Sequence, residues 1–308
     1  MTRLIKVEED DLTNFFAGEN KTRYCEELES ANILFFEKCP FKFPKKDLEF
    51  LLSQKQSGAA NRKNIAYKSA ANKITNAVEM SEKQSKRLLE VMQNYSKCVV
   101  KFLRQLLPPY ASHWSLDYAS FRPFQEKGRQ LRTRARNDLL HVDSFPTRPM
   151  HGRRILRFFT NINPKESRFW TTSDSFEMLA ERFAGKQVNF PPSHNPITRA
   201  FKSLGRNLGF PILLRSPYDT FMLNMHNFLK ENEEFQKNCQ KDYWEFPPHS
   251  CWIVFTDQVS HAATAGQYAL EQTILVPHTG LVNPQKAPVS VLEKLANKSM
   301  IDPVFSKL

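Results

Sequence analysis

The sequence predicts an α+β fold in which a jelly-roll core follows a mainly helical N-terminal region. Three observations indicate this: helical periodicity in the first third of the chain, two-residue periodicity with frequent proline after Pro109, and short strand-like runs without βαβ alternation. We expect residues 1–109 to lie on the core and residues 110–308 to form the jelly-roll domain. A helical insertion over about 172–240 is expected between the two halves of the sheet.

The N-terminal region is expected to contain one strand among its helices. Residues Asn32–Phe36 form a short, mostly apolar run that ends near Pro40, which is typical of a buried strand. A short helix is expected after Pro44. From Ser57 to Leu107 there is almost no Pro or Gly, and apolar residues recur at steps of three and four. That spacing predicts a helical pair or one long broken helix.

After Pro109 the chain predicts an antiparallel sandwich or jelly roll, because its apolar runs are short and separated by irregular connections. The predicted strands of this part are Leu139–Val142, Ile155–Ile162, Cys251–Thr256 and Thr273–Val276.

The net charge of +12 is unevenly placed along the chain. Residues 101–160 contain 12 Lys and Arg against four Asp and Glu. Such a stretch suits a polyanionic partner, namely nucleic acid, an anionic membrane surface or an acidic glycolipid. A solubilising surface is the simpler alternative.

Location is predicted from the same composition. No run of 18 apolar residues is present, the acidic N-terminus lacks a secretory h-region, and five scattered cysteines indicate reduced thiols. We therefore expect a cytoplasmic protein.

The pattern His141-Val142-Asp143 predicts half of a metal site. Residues i and i+2 of a strand point to the same face, so an imidazole and a carboxylate can bind one ion. A second imidazole on a neighbouring strand would complete a facial triad with positions open for a cosubstrate and O₂. His261, which follows an apolar strand and a turn in CWIVFTDQVSHAA, is the expected third ligand.

Structural roles remain open for these histidines. His261 could be a buried core residue, and His141 could merely form a hydrogen bond to Asp143. Five other histidines adjoin Pro, Gly or aromatic loop residues without a carboxylate partner, and we expect them to be structural or exposed: His113, His151, His194, His249 and His278.

Several segments resemble the Kdo (3-deoxy-D-manno-oct-2-ulosonic acid) 3-hydroxylase family of the Fe(II)/2-oxoglutarate-dependent oxygenases, whose core is a double-stranded β-helix. The segments are NILFFEKCPF, DYASFRPF, LLHVDSFPTRPMHGRRILRFFTNINP, SRFW and VSHAA. The resemblance implies hydroxylation of C3 of a Kdo sugar on a lipid A or lipopolysaccharide precursor. It also implies Fe(II) bound by His141, Asp143 and His261, with 2-oxoglutarate and O₂ as cosubstrates, ascorbate as an optional reductant, and succinate and CO₂ as products.

The far carboxylate of 2-oxoglutarate needs a cationic partner, which many members of the superfamily supply shortly after the distal histidine. Here residues 271–275 contain no cation. Arg157 stands among apolar neighbours in RILRFF, where an unpaired guanidinium would be costly, so we expect it to anchor this carboxylate. The resemblance adds Arg122, Arg168 and Trp170 to the pocket.

His226 lies on an apolar helical stretch, where a buried core histidine is the ordinary interpretation. The resemblance places it beside the iron, with a catalytic role in handling O₂. It further implies a Kdo-containing lipid A precursor as partner and peripheral contact with the anionic inner membrane of a Gram-negative bacterium.

Two other functions stay open at this point. The first is a 2-oxoglutarate oxygenase acting on nucleic acid or protein, although no nucleic-acid partner is expected because the basic stretch lacks interleaved stacking aromatics. The second is a non-enzymatic module that binds anionic lipid. Iron(II) binding would separate the oxygenases from such a module.

Overall fold

The computed structural model describes residues 2–18, 20–54, 64–192 and 214–301. The strands are β1 (Leu4–Lys6), β2 (Ile33–Phe36), β3 (Ile65–Lys68), β4 (Lys73–Thr75), β5 (Ser115–Arg122), β6 (Arg154–Asn161), β7 (Arg168–Ser175), β8 (Asp242–Phe246), β9 (Cys251–Phe255), β10 (Val259–Ala265) and β11 (Ala269–Val276). The α-helices are α1 (Glu9–Ala17), α2 (Arg23–Glu29), α3 (Lys45–Leu52), α4 (Glu82–Leu106), α5 (Pro108–Ala111), α6 (Phe176–Phe183), α7 (Pro217–Glu231), α8 (Glu233–Asn238) and α9 (Pro288–Ala296).

The described strands form one large and one small sheet. The large sheet has the order β1-β2-β9-β6-β11-β5-β3-β4, and the small sheet has the order β10-β7-β8. Neighbouring strands run antiparallel except for the parallel pair β1 and β2. Aromatic and aliphatic side chains of both sheets, including Phe159 and Trp252 from the large sheet and Trp170 and Phe246 from the small one, form one buried cluster. The molecule is thus a mixed α and β fold in which the two sheets pack face to face.

Helix α4 covers the opposite face of the large sheet. It begins at a capping box in which the Ser81 hydroxyl accepts from the Gln84 backbone and the Gln84 side chain accepts from the Ser81 backbone. Leu88, Tyr95 and Phe102 lie on its buried face and join the largest apolar cluster. The helical spacing predicted for this part of the chain is therefore confirmed from Glu82 onward.

Within the described part of Ser57–Leu107, the helical prediction is wrong for Ile65–Lys68 and Lys73–Thr75. Strands β3 and β4 form a hairpin, and β3 pairs with β5, with Ile65 opposite Phe121. Pairing with the edge of the large sheet outweighs the weak local preference for helix. Residues 55–63 lie outside the described part. The strand at Asn32–Phe36 and the helix after Pro44 are confirmed as β2 and α3.

The predicted strand Leu139–Val142 is also wrong, since only an isolated bridge joins His141 to His261. The backbone nearby is satisfied in another way: the Leu140 N–H donates to Gln236 Oε1, and Gln236 Nε2 donates to the Leu140 carbonyl. A side chain therefore takes the place of a ladder of backbone hydrogen bonds.

The remaining predicted strands are confirmed as β6, β9 and β11, with small shifts of their ends. The helical insertion is confirmed near its predicted position, because α6, α7 and α8 all lie within 172–240. It was expected between the two halves of the sheet, but it connects β7 and β8, which are neighbours within the small sheet, and β7 itself runs to Ser175. Residues 193–213 of the insertion lie outside the described part. Within the described ranges, no helix is long and apolar enough to cross a bilayer.

Candidate metal centre and cosubstrate pocket

The structure brings together the three residues predicted as metal ligands. One ligand atom from each of His141, Asp143 and His261 lies within 4.8 Å of the others, and all three residues are buried. Reciprocal backbone hydrogen bonds of 3.1 and 2.9 Å join His141 to His261 and fix the spacing of the two imidazoles. Although His141 is not in a strand, the extended chain keeps Asp143 on the same side, with its Oδ1 3.6 Å from His141 Nε2.

Both imidazoles are oriented by backbone carbonyls. His141 Nδ1 lies 2.7 Å from the Leu139 oxygen, and His261 Nδ1 lies 2.9 Å from the Val259 oxygen. Donation from Nδ1 leaves each Nε2 as the unprotonated nitrogen that can bind a metal. Burial lowers the pKa of both histidines, which favours this neutral form.

Burial alone would raise the pKa of Asp143, but the positive charge of Arg157 outweighs it. The pKa of Asp143 therefore stays well below its usual value. Two neutral imidazoles and one carboxylate are the ligand set that suits a divalent transition metal.

Trp170 forms one wall of the pocket beside these residues. Its ring is stacked on His261, with centroids 5.0 Å apart and planes inclined by 18°. The pairing of β7 with β10 sets this contact, because Trp170 stands opposite Ala263 and Thr172 stands opposite His261.

Arg122 and Arg168 reach the same pocket from β5 and β7. Arg122 donates to Glu271 from Nε and Nη2 and to Glu126 from Nη1, so each of its three nitrogens has a carboxylate acceptor. These two acids hold the pKa of Arg122 above its usual value in spite of burial. Arg168 shares Glu126 and donates to the Gly266 carbonyl, and its burial lowers its pKa. Arg168 is thus the less compensated of these two cations.

Arg157 stands between the metal ligands and the arginine cluster. Its Nη2 lies 3.2 Å from Asp143 Oδ2, and its Nη1 lies 3.4 Å from Glu271 Oε2. The Phe145 ring covers the guanidinium, with its centroid 5.3 Å from Cζ.

Four buried polar atoms around this pocket have no hydrogen-bond partner in the described structure: Asp143 Oδ2, Arg157 Nε, Arg168 Nε and Trp170 Nε1. Arg157 is an ion-pair partner of Asp143 Oδ2 but does not meet it in hydrogen-bonding geometry. Buried groups normally find partners, so these atoms indicate a place where ligands complete the site. A divalent cation with an anionic cosubstrate fits both the ligand set and the unpaired donors.

His226, on α7, lies directly beside this centre. Its Nδ1 is 2.8 Å from the Val142 oxygen, and its ring meets the His141 ring edge-on, with centroids 4.9 Å apart. Burial lowers the pKa of His226 from 6.5 to about 4, so the imidazole is neutral at physiological pH.

Sequence reasoning missed several residues of the site. Glu126 and Glu271 pair with the arginines, Asn137 lines the pocket, and the buried Lys230 has a pKa lowered to about 8, mainly by desolvation. One signal was available: an acid in the apolar run of β11 needs a buried cation.

Of the histidines expected to be structural, His151 lies 3.2 Å from Asp219, which corrects the expectation that it has no carboxylate partner. His194 lies outside the described residues.

The comparisons with known proteins agree with this geometry. The model of the 3-deoxy-D-manno-oct-2-ulosonic acid (Kdo) hydroxylase family matches residues 12–299. The chain is similar to the Kdo hydroxylase KdoO, described as a non-heme Fe(II) alpha-ketoglutarate-dependent dioxygenase. With the cobalt(II) complex it shares 33% identity over 97% of this chain and 98% of that chain, at a TM-score of 0.84.

Two further KdoO structures contain ligands of this chemistry. The complex with alpha-ketoglutarate and Fe(III) is 32% identical over 97% of each chain, with a TM-score of 0.81. The complex with succinate and Fe(III) is 33% identical over 97% of this chain and 98% of that chain, with a TM-score of 0.83. A comparison with curated protein sequences gave no match. The family match over nearly the whole chain, together with these structures, shows that the chain belongs to the Kdo hydroxylase family.

Proposed function

We propose that this protein is an Fe(II)- and 2-oxoglutarate-dependent dioxygenase that hydroxylates a Kdo sugar at C3. The observation that carries this proposal is the buried cluster of His141, Asp143 and His261, whose ligand atoms lie within 4.8 Å of one another. These three residues would hold the iron. When bound, Fe(II) with 2-oxoglutarate and O₂ supplies the oxidising chemistry that converts C–H to C–OH and releases succinate and CO₂.

The arginines of the pocket have different roles in this proposal. Arg157 and Arg168 each keep a buried Nε without an acceptor, so they are the donors available to the far carboxylate of 2-oxoglutarate. Trp170 forms the wall against which the cosubstrate lies. Each nitrogen of Arg122 already donates to a carboxylate, so Arg122 contributes by holding Glu126 and Glu271 in place.

His226 would assist the handling of O₂ next to the metal. Its contact with the ring of His141 and its neutral state support a role in orienting groups at the centre, without any exchange of charge near pH 7.

The sandwich of the large and small sheets would be the double-stranded β-helix of this superfamily. Residues 1–109 would be the N-terminal region and 110–308 the oxygenase domain. β1 to β4 would then extend the large sheet from the N-terminal region.

The acceptor would be a lipid A precursor at the cytoplasmic face of the inner membrane of a Gram-negative bacterium, with peripheral contact to anionic lipid. Several arginines of the basic stretch are paired, such as Arg134 with Glu231 and Arg136 with Asp138.

By contrast, Lys97, Lys101 and Arg104 on α4 have no ion pair with any described residue. They border a groove of about 510 Å³ that also includes Val100 and Leu116. We name these three cations the α4 basic face. Cations beside an apolar groove suit an anionic lipid surface, so this face supports the membrane contact.

The test is mass spectrometry of the product formed with Fe(II), 2-oxoglutarate, ascorbate and a Kdo-containing lipid A precursor. We expect one added oxygen on the Kdo unit and stoichiometric succinate. Oxygen on the acyl chains, a nucleic acid or a protein would remove the Kdo assignment and leave the oxygenase. Absence of succinate with every acceptor would remove the oxygenase.

A further inference from the structure

A polar cleft of about 580 Å³ adjoins the metal pocket and shares Arg122, Asn137 and Arg157 with it. The hairpin of β3 and β4 forms one side of this cleft. Strand β5 and the connection before β6 form most of the rest, together with Arg157 of β6 and Glu271 of β11. A substrate in this cleft would therefore lie next to Arg157, whose guanidinium touches the metal-ligand residue Asp143.

Two cations of this cleft border the same aromatic ring. The Nζ of Lys68 lies 5.1 Å from the centroid of Tyr118, and the Cζ of Arg148 lies 4.2 Å from it. Lys68 has no ion pair with any described residue. Arg148 pairs with Asp117 through Nη1 and also rests on the Phe145 ring, 4.1 Å from its centroid. Its orientation is thus fixed before a ligand arrives.

Phe145 connects Arg148 with the metal centre, because the same ring also lies 5.3 Å from the Cζ of Arg157. Arg148 and Arg157 thus contact one ring, and Arg157 contacts Asp143. A small anion held by Arg148 and Lys68 would lie in the same cleft as Arg157, which also lines the metal pocket.

The name of the sugar states the relevant chemistry. A 2-ulosonic acid that is 3-deoxy carries its carboxylate at C1 and its unsubstituted methylene at C3, only two bonds away. Anchoring the carboxylate therefore determines where the reacting carbon lies.

We propose that Lys68 and Arg148 form the subsite that binds the carboxylate of the acidic sugar substrate. This inference rests on the proposed function and names how its substrate is recognised. Amide and hydroxyl groups of Asn64 and Thr75, on the hairpin side of the cleft, provide polar partners for sugar hydroxyls. The N-terminal hairpin is then part of the substrate site and not only an extension of the sheet.

The experiment compares two acceptors, the Kdo-containing lipid precursor and the same molecule with its Kdo carboxylates converted to methyl esters. Lys68→Gln removes one charge and leaves a polar side chain that is one atom shorter. We expect it to raise KM for the acid about tenfold, because a contact with a charged group typically has this weight. KM for the ester is expected to be the same in Lys68→Gln and in the wild type.

Lys73→Gln is the matched control, since Lys73 stands opposite Lys68 in the hairpin but does not line the cleft. It should leave both KM values unchanged. Arg148→Lys retains the charge and loses the planar guanidinium, so it should raise KM for the acid less than Arg148→Gln does. 2-Oxoglutarate binding measured without O₂ confirms that each variant is folded.

An equal KM for the acid in the wild type and Lys68→Gln would overturn the subsite. An equal rise in KM for the acid and the ester in Lys68→Gln would also overturn it. So would an equal rise in KM for the acid in Lys73→Gln, because that would indicate a general effect of positive charge and not a specific contact. If the wild type oxidises neither acceptor and forms no succinate, the proposed function fails, and the subsite falls with it.

Discussion

The guanidinium of Arg157 lies 3.2 Å from the carboxylate of Asp143 and makes one electrostatic unit of the metal centre and the cosubstrate pocket. Arg157 also meets Glu271 at 3.4 Å, so a single cation serves a metal-ligand residue and the arginine cluster. Loss of Arg157 must therefore change both metal binding and 2-oxoglutarate binding. Arg168, which makes no contact of this kind with Asp143, provides the comparison.

Arg157→Ala is expected to weaken the binding of 2-oxoglutarate by about 2–5 kcal/mol, which is the usual cost of removing one partner of a buried charge pair. It should also weaken the binding of Fe(II), because Asp143 loses the cation that keeps the pKa of its carboxyl group low. Arg168→Gln should weaken the binding of 2-oxoglutarate and leave the binding of Fe(II) unchanged. Glu126 does not lose all its partners in this variant, because it still pairs with Arg122 and Arg129. Separate titrations of Fe(II) and 2-oxoglutarate measure the two effects. Unchanged 2-oxoglutarate affinity in Arg157→Ala would move the anchor to Arg168 or Arg122.

His261→Ala should abolish activity and lower the Fe(II) content to well below one ion per chain, while the fold is retained. A triad that loses one imidazole keeps only two ligands on a buried ion. Metal analysis and circular dichroism check this expectation. His278→Ala is the control, because His278 is exposed and its ring contacts the hydroxyl of Ser290 and not a residue of the metal centre. Full metal stoichiometry in His261→Ala would refute the assignment.

The agreement between sequence and structure is best where a motif depends on local geometry. The sequence predicts His141 and Asp143 on a strand, but the structure has only an isolated bridge at His141. The two side chains still lie on the same side, because an extended chain also places residues i and i+2 on one side. The pairing of Arg122 with Glu271 joins residues 149 positions apart, and no local pattern contains it. The β3–β4 hairpin was missed for a similar reason, since β3 is stabilised by its pairing with the distant β5.

Stability of the metal-free protein should fall as pH falls from about 6.5 toward 4. The pKa of His226 is about 4 in the folded protein, below its ordinary value of 6.5, so the unfolded chain binds more protons in this interval. The contribution of His226 is at most about 3 kcal/mol. Chemical denaturation at several pH values should show a smaller loss of unfolding free energy on acidification for His226→Gln than for the wild type. An identical slope in both proteins would contradict the burial of a neutral His226.

Binding to anionic vesicles should depend on the α4 basic face. Reversing Lys97, Lys101 and Arg104 to Glu should abolish cosedimentation with vesicles that contain phosphatidylglycerol, and binding of the wild type should weaken with salt because exposed charges are screened within about 8 Å at physiological ionic strength. Reversing Arg132, Arg134 and Arg136 changes the same charge and should have the smaller effect.

Two of those three control arginines already pair with Glu231 and Asp138. Turnover of a soluble, truncated Kdo acceptor should be unchanged in both triple variants. An equal loss of vesicle binding in the two would mean that net charge, and not the α4 basic face, determines the contact.

Gly266 should control the position of Arg168 by steric exclusion. Gly266 has φ +115°, and a Cβ at this position would lie 2.8 Å from both Cα and Cγ of Arg168. Gly266→Ala must therefore displace Arg168, whose Nη1 donates to the Gly266 carbonyl. We expect KM for 2-oxoglutarate to rise about tenfold or more, because misplacing a positioning group by about 1 Å can cost up to a hundredfold.

Gly128→Ala is the matched control for this substitution. Gly128 also has a positive φ, of +82°, but an added Cβ would meet nothing within 4 Å. Both variants carry the strain of an alanine at positive φ, about 1–2 kcal/mol, so thermal denaturation should show a loss of stability in each. Only Gly266→Ala should change the 2-oxoglutarate requirement, and the Fe(II) requirement should stay the same in both. A similar rise in KM for the two variants would show that backbone strain, and not contact with Arg168, accounts for the effect.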